Sequence, residues 1–244
     1  MQTRKESIES LRREILDLQG LGSRPCDEHL PVSLGPVLDS MPGRVFPTGA
    51  VHEFLSSTPM AAAATSGFIS AIAGVLMQSR KPCIWVSMHR TLFPPGVKGF
   101  GLDPDQIIFI DAAREKEALW AAEEALKCEA IGAVIAEIRE LDFTQSRRLQ
   151  LAVETSRTTG FIHRIYPRSI RPTACVSRWQ IRPAASQISD GLPGIGFARW
   201  QVELLKIRNG RPGRWQVEWN ENAFHVIHEH IRRVSSPVLK TGAA

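Results

Sequence analysis

The chain has 244 residues, 43% of them apolar and 23% charged, with 18 glycines and 16 prolines. This composition indicates a soluble globular protein with one sizeable core, and it excludes collagenous, low-complexity and wholly disordered chains. The formal net charge of +5 is uneven, because residues 1–160 hold 17 Lys or Arg against 20 Asp or Glu, whereas residues 161–244 hold 13 against 5.

The cysteines and the N-terminus indicate a cytoplasmic protein. The four cysteines are far apart, with no C-x-x-C pair and no histidine at ligand spacing. They predict neither a disulfide framework nor a metal site, and they favour a reducing compartment. The N-terminal residues are charged and lack the apolar stretch of a signal peptide.

Residues 1–20 predict an amphipathic helix. The helical spacing places four apolar side chains on one stripe: Ile8, Leu11, Ile15 and Leu18. Because a single helix of this length is marginal alone, we expect Leu11 and Ile15 to contact a partner protein or a distant part of the core. Residues 21–47 are rich in Gly, Pro and Ser without a sustained period, and they predict a linker.

Residues 48–225 predict one α/β core domain, followed by a tail at 226–244. Short apolar runs typical of strands lie at 50–55, 83–88, 106–110, 132–138 and 160–166. Helical patterns separate them at about 60–79, 114–128 and 143–158. This alternation predicts a mostly parallel sheet flanked by helices.

The uncharged stretch 54–79 has two interpretations, a membrane span or a buried crossover helix. It contains seven Ser or Thr as well as Pro59, so its hydropathy is well below that of a Leu-rich span. We therefore predict a buried helix and no membrane contact.

Residues 198–220 predict an antiparallel hairpin on one edge of the sheet, with a Gly/Pro turn. Its tip carries Arg208, Arg211 and Arg214, which suit carboxylates of a partner protein. The exposed edge would also favour partner binding. The tryptophans of this region, Trp179, Trp200, Trp215 and Trp219, fit either a packed core or a surface that stacks bases.

The loop after the first strand stands where a phosphate-binding loop would lie. It begins with Ser56 and Ser57 and reads SSTPMAAAATSG, without G-x-x-x-x-G-K-[ST]. There is no lysine from position 6 to position 80. A helix N-terminus would remain to attract an anion, but the cation that phosphoryl transfer needs is missing.

Five stretches carry a family resemblance: FPTGAVHEFL, LFPPGVKGFGLDP, EALWAAEEALKCEAIGAVIAEI, LDFTQSRRLQLA and RWQVELLKIRNGRPGRWQVEW. Over about residues 44–220 the chain resembles the ImuA family. These are small RecA-like proteins of a damage-inducible mutagenesis cassette that also contains ImuB and an error-prone DnaE-type polymerase. The resemblance implies a RecA-like fold and a role in DNA repair, translesion synthesis and the SOS response. It implies ImuB as direct partner, the polymerase through ImuB, and RecA as a further candidate.

The resemblance also implies a degenerate nucleotide site. Laid on the RecA core, Ala62 falls at the phosphate-binding lysine, Met88 at the water-orienting glutamate and Glu137 at the Walker B aspartate. We therefore expect a non-catalytic adaptor without a cofactor. Glu137 could instead cap a helix or pair with Arg139 or Arg147.

A stretch without acidic residues, 155–189, carries the arginines predicted to contact single-stranded DNA: Arg168, Arg171, Arg178 and Arg182. A solvated basic face is the alternative. Three hypotheses thus remain open: an adaptor, a weak ATPase or nucleotide-gated switch, and an independent DNA-binding module.

Overall fold

The computed structural model describes Leu11 and residues 32–77, 81–186 and 196–230. In these ranges the strands are β1 Val51–Ser56, β2 Cys83–Ser87, β3 Ile107–Asp111, β4 Ala133–Ile138, β5 Thr159–Ile165, β6 Ser177–Ala184, β7 Ala198–Ile207, β8 Gly213–Asn220 and β9 Ala223–His230. The α-helices are α1 Pro59–Leu76, α2 Glu115–Leu126 and α3 Phe143–Ser156.

The strands of the described residues form one sheet in the order β3-β2-β4-β5-β1-β6-β7-β8-β9. Pairing is parallel from β3 to β6, and β6 to β9 form an antiparallel meander. The predicted class, a mostly parallel α/β sheet with antiparallel strands at one side, is confirmed. The five apolar runs coincide with β1 to β5, because fully buried parallel strands need apolar side chains on both faces.

The predicted hairpin, β7 and β8, belongs to the antiparallel edge region of the sheet, where β6 and β9 flank it. β6 lies between β1 and β7, and β9 pairs with β8 across a tight turn. Glu221 and Asn222 make that turn with φ of 51° and 56°, the two consecutive positive values of a type I′ hairpin. Residues 226–230, expected in the tail, therefore belong to a strand.

Helices cover both faces of the sheet. α1 packs on one face with a cluster of aromatic side chains, and α2 and α3 pack on the other. Trp179, Trp200, Trp215 and Trp219 are all buried in the first of these cores. They are therefore packing residues and do not offer a surface on which bases could stack.

α1 begins where its sequence dictates. Thr58 Oγ1 accepts a hydrogen bond from the Ala61 amide at 3.1 Å, and Pro59 occupies the first turn. By length and composition alone α1 is apolar enough to cross a membrane, yet most of it is buried inside the protein. That burial agrees with the predicted crossover helix.

The second half of the predicted linker is part of the core. Residues 32–47 form two 3₁₀ turns, Gly35–Ser40 and Pro42–Arg44. Their buried side chains join the α1-side core: Val32, Leu34, Val37, Met41 and Phe46. The apolar residues lie at irregular spacing because the turns are irregular, so no helix or strand period reveals them.

The predicted N-terminal helix lies outside the described residues except for Leu11, which is helical and 57% exposed. Its contact with a partner through Leu11 and Ile15 stays a prediction. Residues 21–31 of the expected linker also lie outside the described part.

Candidate functional site

A pocket of about 510 Å³ opens at the carboxyl ends of the parallel strands. Its walls come from the first half of α1, from the loop after β2, and from the ends of β4 and β5. Ligands bind preferentially at this end of an open α/β sheet, and the volume is typical of a ligand pocket. The pocket is therefore the candidate site.

The structure brings together three of the five residues predicted for a degenerate nucleotide site. Ala62, Met88 and Glu137 all line the pocket, although they come from α1, the β2 loop and β4. Ser56 and Ser57 are not among the lining residues. The sheet thus places the Lys, Glu and Asp positions of the RecA comparison around one cavity.

Ser56 is fully buried beneath the start of α1. Its Oγ lies 2.9 Å from Thr65 Oγ1 and 2.9 Å from His163 Nε2. The hydroxyl group of Ser56 therefore makes its hydrogen bonds to other side chains of the fold. Ser57, by contrast, is exposed to solvent.

Glu137 is the acidic group of the pocket and is only 5% exposed. Trp85 Nε1 donates to its Oε1 at 3.1 Å. Burial raises the pKa of Glu137 to about 7, and the hydrogen bond from Trp85 opposes this rise only partly. Near neutral pH the carboxyl group therefore holds a proton more readily than an exposed glutamate does.

Neither alternative role of Glu137 occurs in the described residues. The helix after β4 is capped by Asp142, which forms a capping box with Gln145. No salt bridge there joins Glu137 to Arg139 or Arg147.

Aromatic residues of the pocket were not singled out from the sequence. Phe93 and Phe100, from the motif LFPPGVKGFG, line one wall. Tyr166 lines another, with a positive φ of 53°, and its amide donates to the Ser56 carbonyl at 2.8 Å. Such a backbone conformation is strained for a non-glycine residue and is common at functional sites. The aromatic content of the loop motif is the signal that could have found this wall.

His163 also belongs to this end of the sheet, beside Glu137 on the neighbouring strand. Its Nδ1 is buried and has no hydrogen-bond partner among the described residues. Burial lowers the pKa of His163 to about 3, so the ring is neutral at physiological pH. The ring therefore adds no positive charge beside the carboxyl group.

The pocket suits an apolar group better than a polyphosphate. Besides Glu137, its charged or titratable lining groups are Arg139, His89 and Tyr166, all exposed. No lysine lines it. A triphosphate would place its charge next to a buried carboxyl group and apolar walls, which is unfavourable without compensating cations.

The four arginines predicted to contact DNA differ in their exposure to solvent. Arg168, Arg171 and Arg182 are exposed. Arg178 instead donates through Nε to Glu53 Oε2 at 2.7 Å, and its Nη2 donates to the Arg171 carbonyl at 2.6 Å. The Arg178 side chain is thus engaged in hydrogen bonds within the protein, and DNA contact by these arginines stays a prediction.

Arg178 belongs to a buried charge network around Glu53. Glu53 is fully buried and accepts from Arg164 Nη1 at 2.9 Å and from Thr173 Oγ1 at 2.7 Å. Arg164 also donates to the Ser169 carbonyl at 2.8 Å. The network therefore ties the segment between β5 and β6 to the sheet.

The tip of the hairpin packs against residues 35–40 of the same chain. The Arg211 amide donates to the Ser40 carbonyl at 2.8 Å, and a Cβ at Gly210 would lie 2.3 Å from that carbonyl oxygen. Arg208 donates to the Ala174 carbonyl, and Arg214 to Glu203 Oε2 at 2.8 Å. Of the three predicted partner-binding arginines, Arg208 and Arg214 are thus engaged within the chain, whereas Arg211 is exposed.

Comparison with known proteins identifies relatives. No family model matches the chain. The chain is similar to Protein ImuA of Caulobacter vibrioides strain NA1000 / CB15N, with 35% identity over 199 residues, covering 77% of this chain and 81% of that protein. Protein ImuA of Caulobacter vibrioides strain ATCC 19089 / CB 15 matches with the same identity and coverage.

Proposed function

The chain belongs to the ImuA family, and from this premise we propose that it acts without catalysis, as a RecA-like adaptor in DNA-damage-induced mutagenesis. In this role it binds ImuB directly and reaches the error-prone DnaE-type polymerase through ImuB. RecA is a further candidate member of the assembly.

The observation that carries the non-catalytic part of the proposal is the composition of the pocket. Ala62 and Met88 stand on its walls where a RecA-type site needs a lysine and a glutamate, and Glu137 is buried in apolar surroundings. Each missing electrostatic contact to the transition state removes on the order of 100-fold in rate. Two such losses leave too little stabilisation for useful turnover.

ATP turnover tests this part of the proposal. We expect the full chain, with ImuB and single-stranded DNA present and absent, to hydrolyse ATP no faster than a protein-free blank. The Glu137→Gln variant, with Glu154→Gln on the exposed face of α3 as matched control, tests any activity that is found. Turnover abolished by Glu137→Gln but retained by Glu154→Gln would contradict the proposal.

Association with ImuB tests the adaptor part. A pull-down with tagged ImuB from purified components should retain the chain, and gel filtration should show a larger complex. Failure of both assays would remove the adaptor role.

A nucleotide-gated switch is the second candidate, favoured by Glu137 at the Walker B position with Arg139 on the same pocket. It predicts measurable ATP affinity, whereas the adaptor does not. Equilibrium dialysis with labelled ATP therefore separates the two. DNA binding is a third property, since Arg168, Arg171 and Arg182 are exposed.

A further inference from the structure

The pocket has an apolar rim that stays exposed. Phe93 and Tyr166 line it, yet they are 70% and 41% exposed. Met60, in the first turn of α1 beside the lining residue Pro59, is 69% exposed. Large apolar side chains gathered around a cavity mark a binding surface, because leaving them in water is unfavourable.

The floor of the pocket offers one unused hydrogen-bond acceptor. Trp85 Nε1 binds Glu137 Oε1. Glu137 Oε2 has no hydrogen-bond partner among the described residues, and Glu137 lines the pocket, so this oxygen is open to whatever occupies the cavity. A ligand that fills the pocket displaces water from this oxygen, so a ligand that donates a hydrogen bond to it is favoured over one that leaves it unpaired.

We infer that this pocket receives a tryptophan side chain from a segment of a partner protein, with the indole N–H donating to Glu137. An indole is large and apolar, as the walls require, and it carries one neutral donor. An ammonium group would satisfy the same oxygen, but it would lose more hydration on entering apolar walls.

The exposed rim selects a protein segment over a free small molecule. A small ligand would fill the cavity but would leave Phe93 and Tyr166 in water. A segment that continues beyond its anchoring residue covers them as well, in the usual arrangement of a buried aromatic anchor surrounded by less critical contacts. The inference rests on the proposed function, in which the pocket is free of nucleotide and ImuB is the partner.

The pocket chemistry is tested with N-acetyl-tryptophanamide as probe and its 1-methyl-indole derivative as matched control. The two differ in the N–H donor, and the methyl group adds little volume. Ligand-detected NMR with the full chain should give a Kd of roughly 0.1–1 mM for the probe. We expect about tenfold weaker binding for the methylated derivative and for Glu137→Gln, and unchanged binding for Glu154→Gln. Equal affinity for probe and derivative, or displacement of the probe by stoichiometric ATP, would overturn the inference.

The protein source of the indole is tested with ImuB. Ala62→Phe narrows the pocket from the α1 wall and should abolish probe binding and weaken ImuB binding at least tenfold. Glu137→Gln provides the same test without a change of volume, should Ala62→Phe fail to fold. ImuB affinity within twofold of wild type in a variant that has lost the probe would overturn the inference. If wild-type chain does not bind ImuB at all, the adaptor proposal fails, whereas the probe still decides the chemistry of the pocket.

Discussion

At the scale of single residues, Glu137 gives the pocket its pH dependence. Burial raises its pKa from 4.5 to about 7, so the folded protein keeps a proton that the unfolded chain has already lost. The stability from this raised pKa is fully present below pH 4.5 and is lost as the pH rises toward 7. Above pH 7 the buried charge is a constant penalty.

The first prediction follows from that sign. Glu137→Gln keeps the acceptor for Trp85 but cannot ionise, so it should be more stable than wild type at pH 8 by on the order of 3 kcal/mol. At pH 5 the two proteins should agree within about 1 kcal/mol. Urea unfolding at both pH values measures the difference, with Glu154→Gln as the exposed control. A difference that does not change with pH would contradict the raised pKa.

Arg178 shows that an arginine in a basic stretch of sequence need not be exposed to solvent. The sequence places it among exposed arginines, but its guanidinium is held by Glu53, the Arg171 carbonyl and Thr173. Removing one partner of a buried ion pair leaves the other poorly compensated.

The second prediction is that Arg178→Ala lowers the free energy of unfolding by about 3 kcal/mol. Arg182→Ala is the matched control, because Arg182 is exposed and its Nη2 donates to the side chain of Gln180, which is close in sequence. That variant should stay within about 0.5 kcal/mol of wild type. Similar unfolding midpoints for the two variants would show that the Glu53 network contributes little.

At the scale of elements, α1 depends on a close backbone approach. A Cβ at Gly74 would lie 2.7 Å from the carbonyl carbon and oxygen of Gly101, in the turn that follows the β2 loop. Backbone atoms cannot move aside as a flexible side chain does. Gly74 therefore lets α1 and the loop that walls the pocket lie in contact.

The third prediction is that Gly74→Ala destabilises the protein by about 1–3 kcal/mol, even though alanine favours a helix more than glycine does. Gly99→Ala is the control, since in the described part of the chain no heavy atom other than those of Gly99 and its chain neighbours lies within 4 Å of a Cβ there. Thermal unfolding followed by circular dichroism measures both. A stabilised Gly74→Ala variant would mean that helix propensity outweighs the contact.

At the scale of the whole molecule, the charge asymmetry survives folding only in part. Three arginines remain exposed: Arg168, Arg171 and Arg182. Arg164 and Arg178 instead form salt bridges with Glu53. The electrostatic footprint for nucleic acid is therefore smaller than the sequence count suggests.

The fourth prediction concerns single-stranded DNA. If three arginines touch phosphates, log K should fall against log salt with a slope of roughly −2, at about 0.7 per contact. Replacing Arg168, Arg171 and Arg182 by alanine should flatten the slope, and Arg147→Ala on α3 should leave it unchanged. Fluorescence anisotropy with labelled oligonucleotide at several salt concentrations gives the slopes. An unaltered slope in the triple variant would assign the basic stretch to solubility alone.

Much of the fold was predictable from the chain because it depends on local patterns. Runs of apolar residues bounded by breakers predict buried strands, and β1 to β5 lie where those runs are. The absence of a lysine near Ala62 likewise follows from reading the loop. The sequence did not predict the strand β9. The turn before it consists of Glu221 and Asn222, which lack the usual Asn-Gly signal of a hairpin.

The alternation of short apolar runs with helical patterns determined the α/β class, since the periods of strands and helices are properties of neighbouring residues. Only the tertiary structure decided which polar groups meet. Trp85 and Glu137 are 52 positions apart, and Glu53 and Arg178 are 125 apart. Such pairs depend on the order of strands in the sheet, and that order is set by packing of the whole core, which no local window of sequence contains.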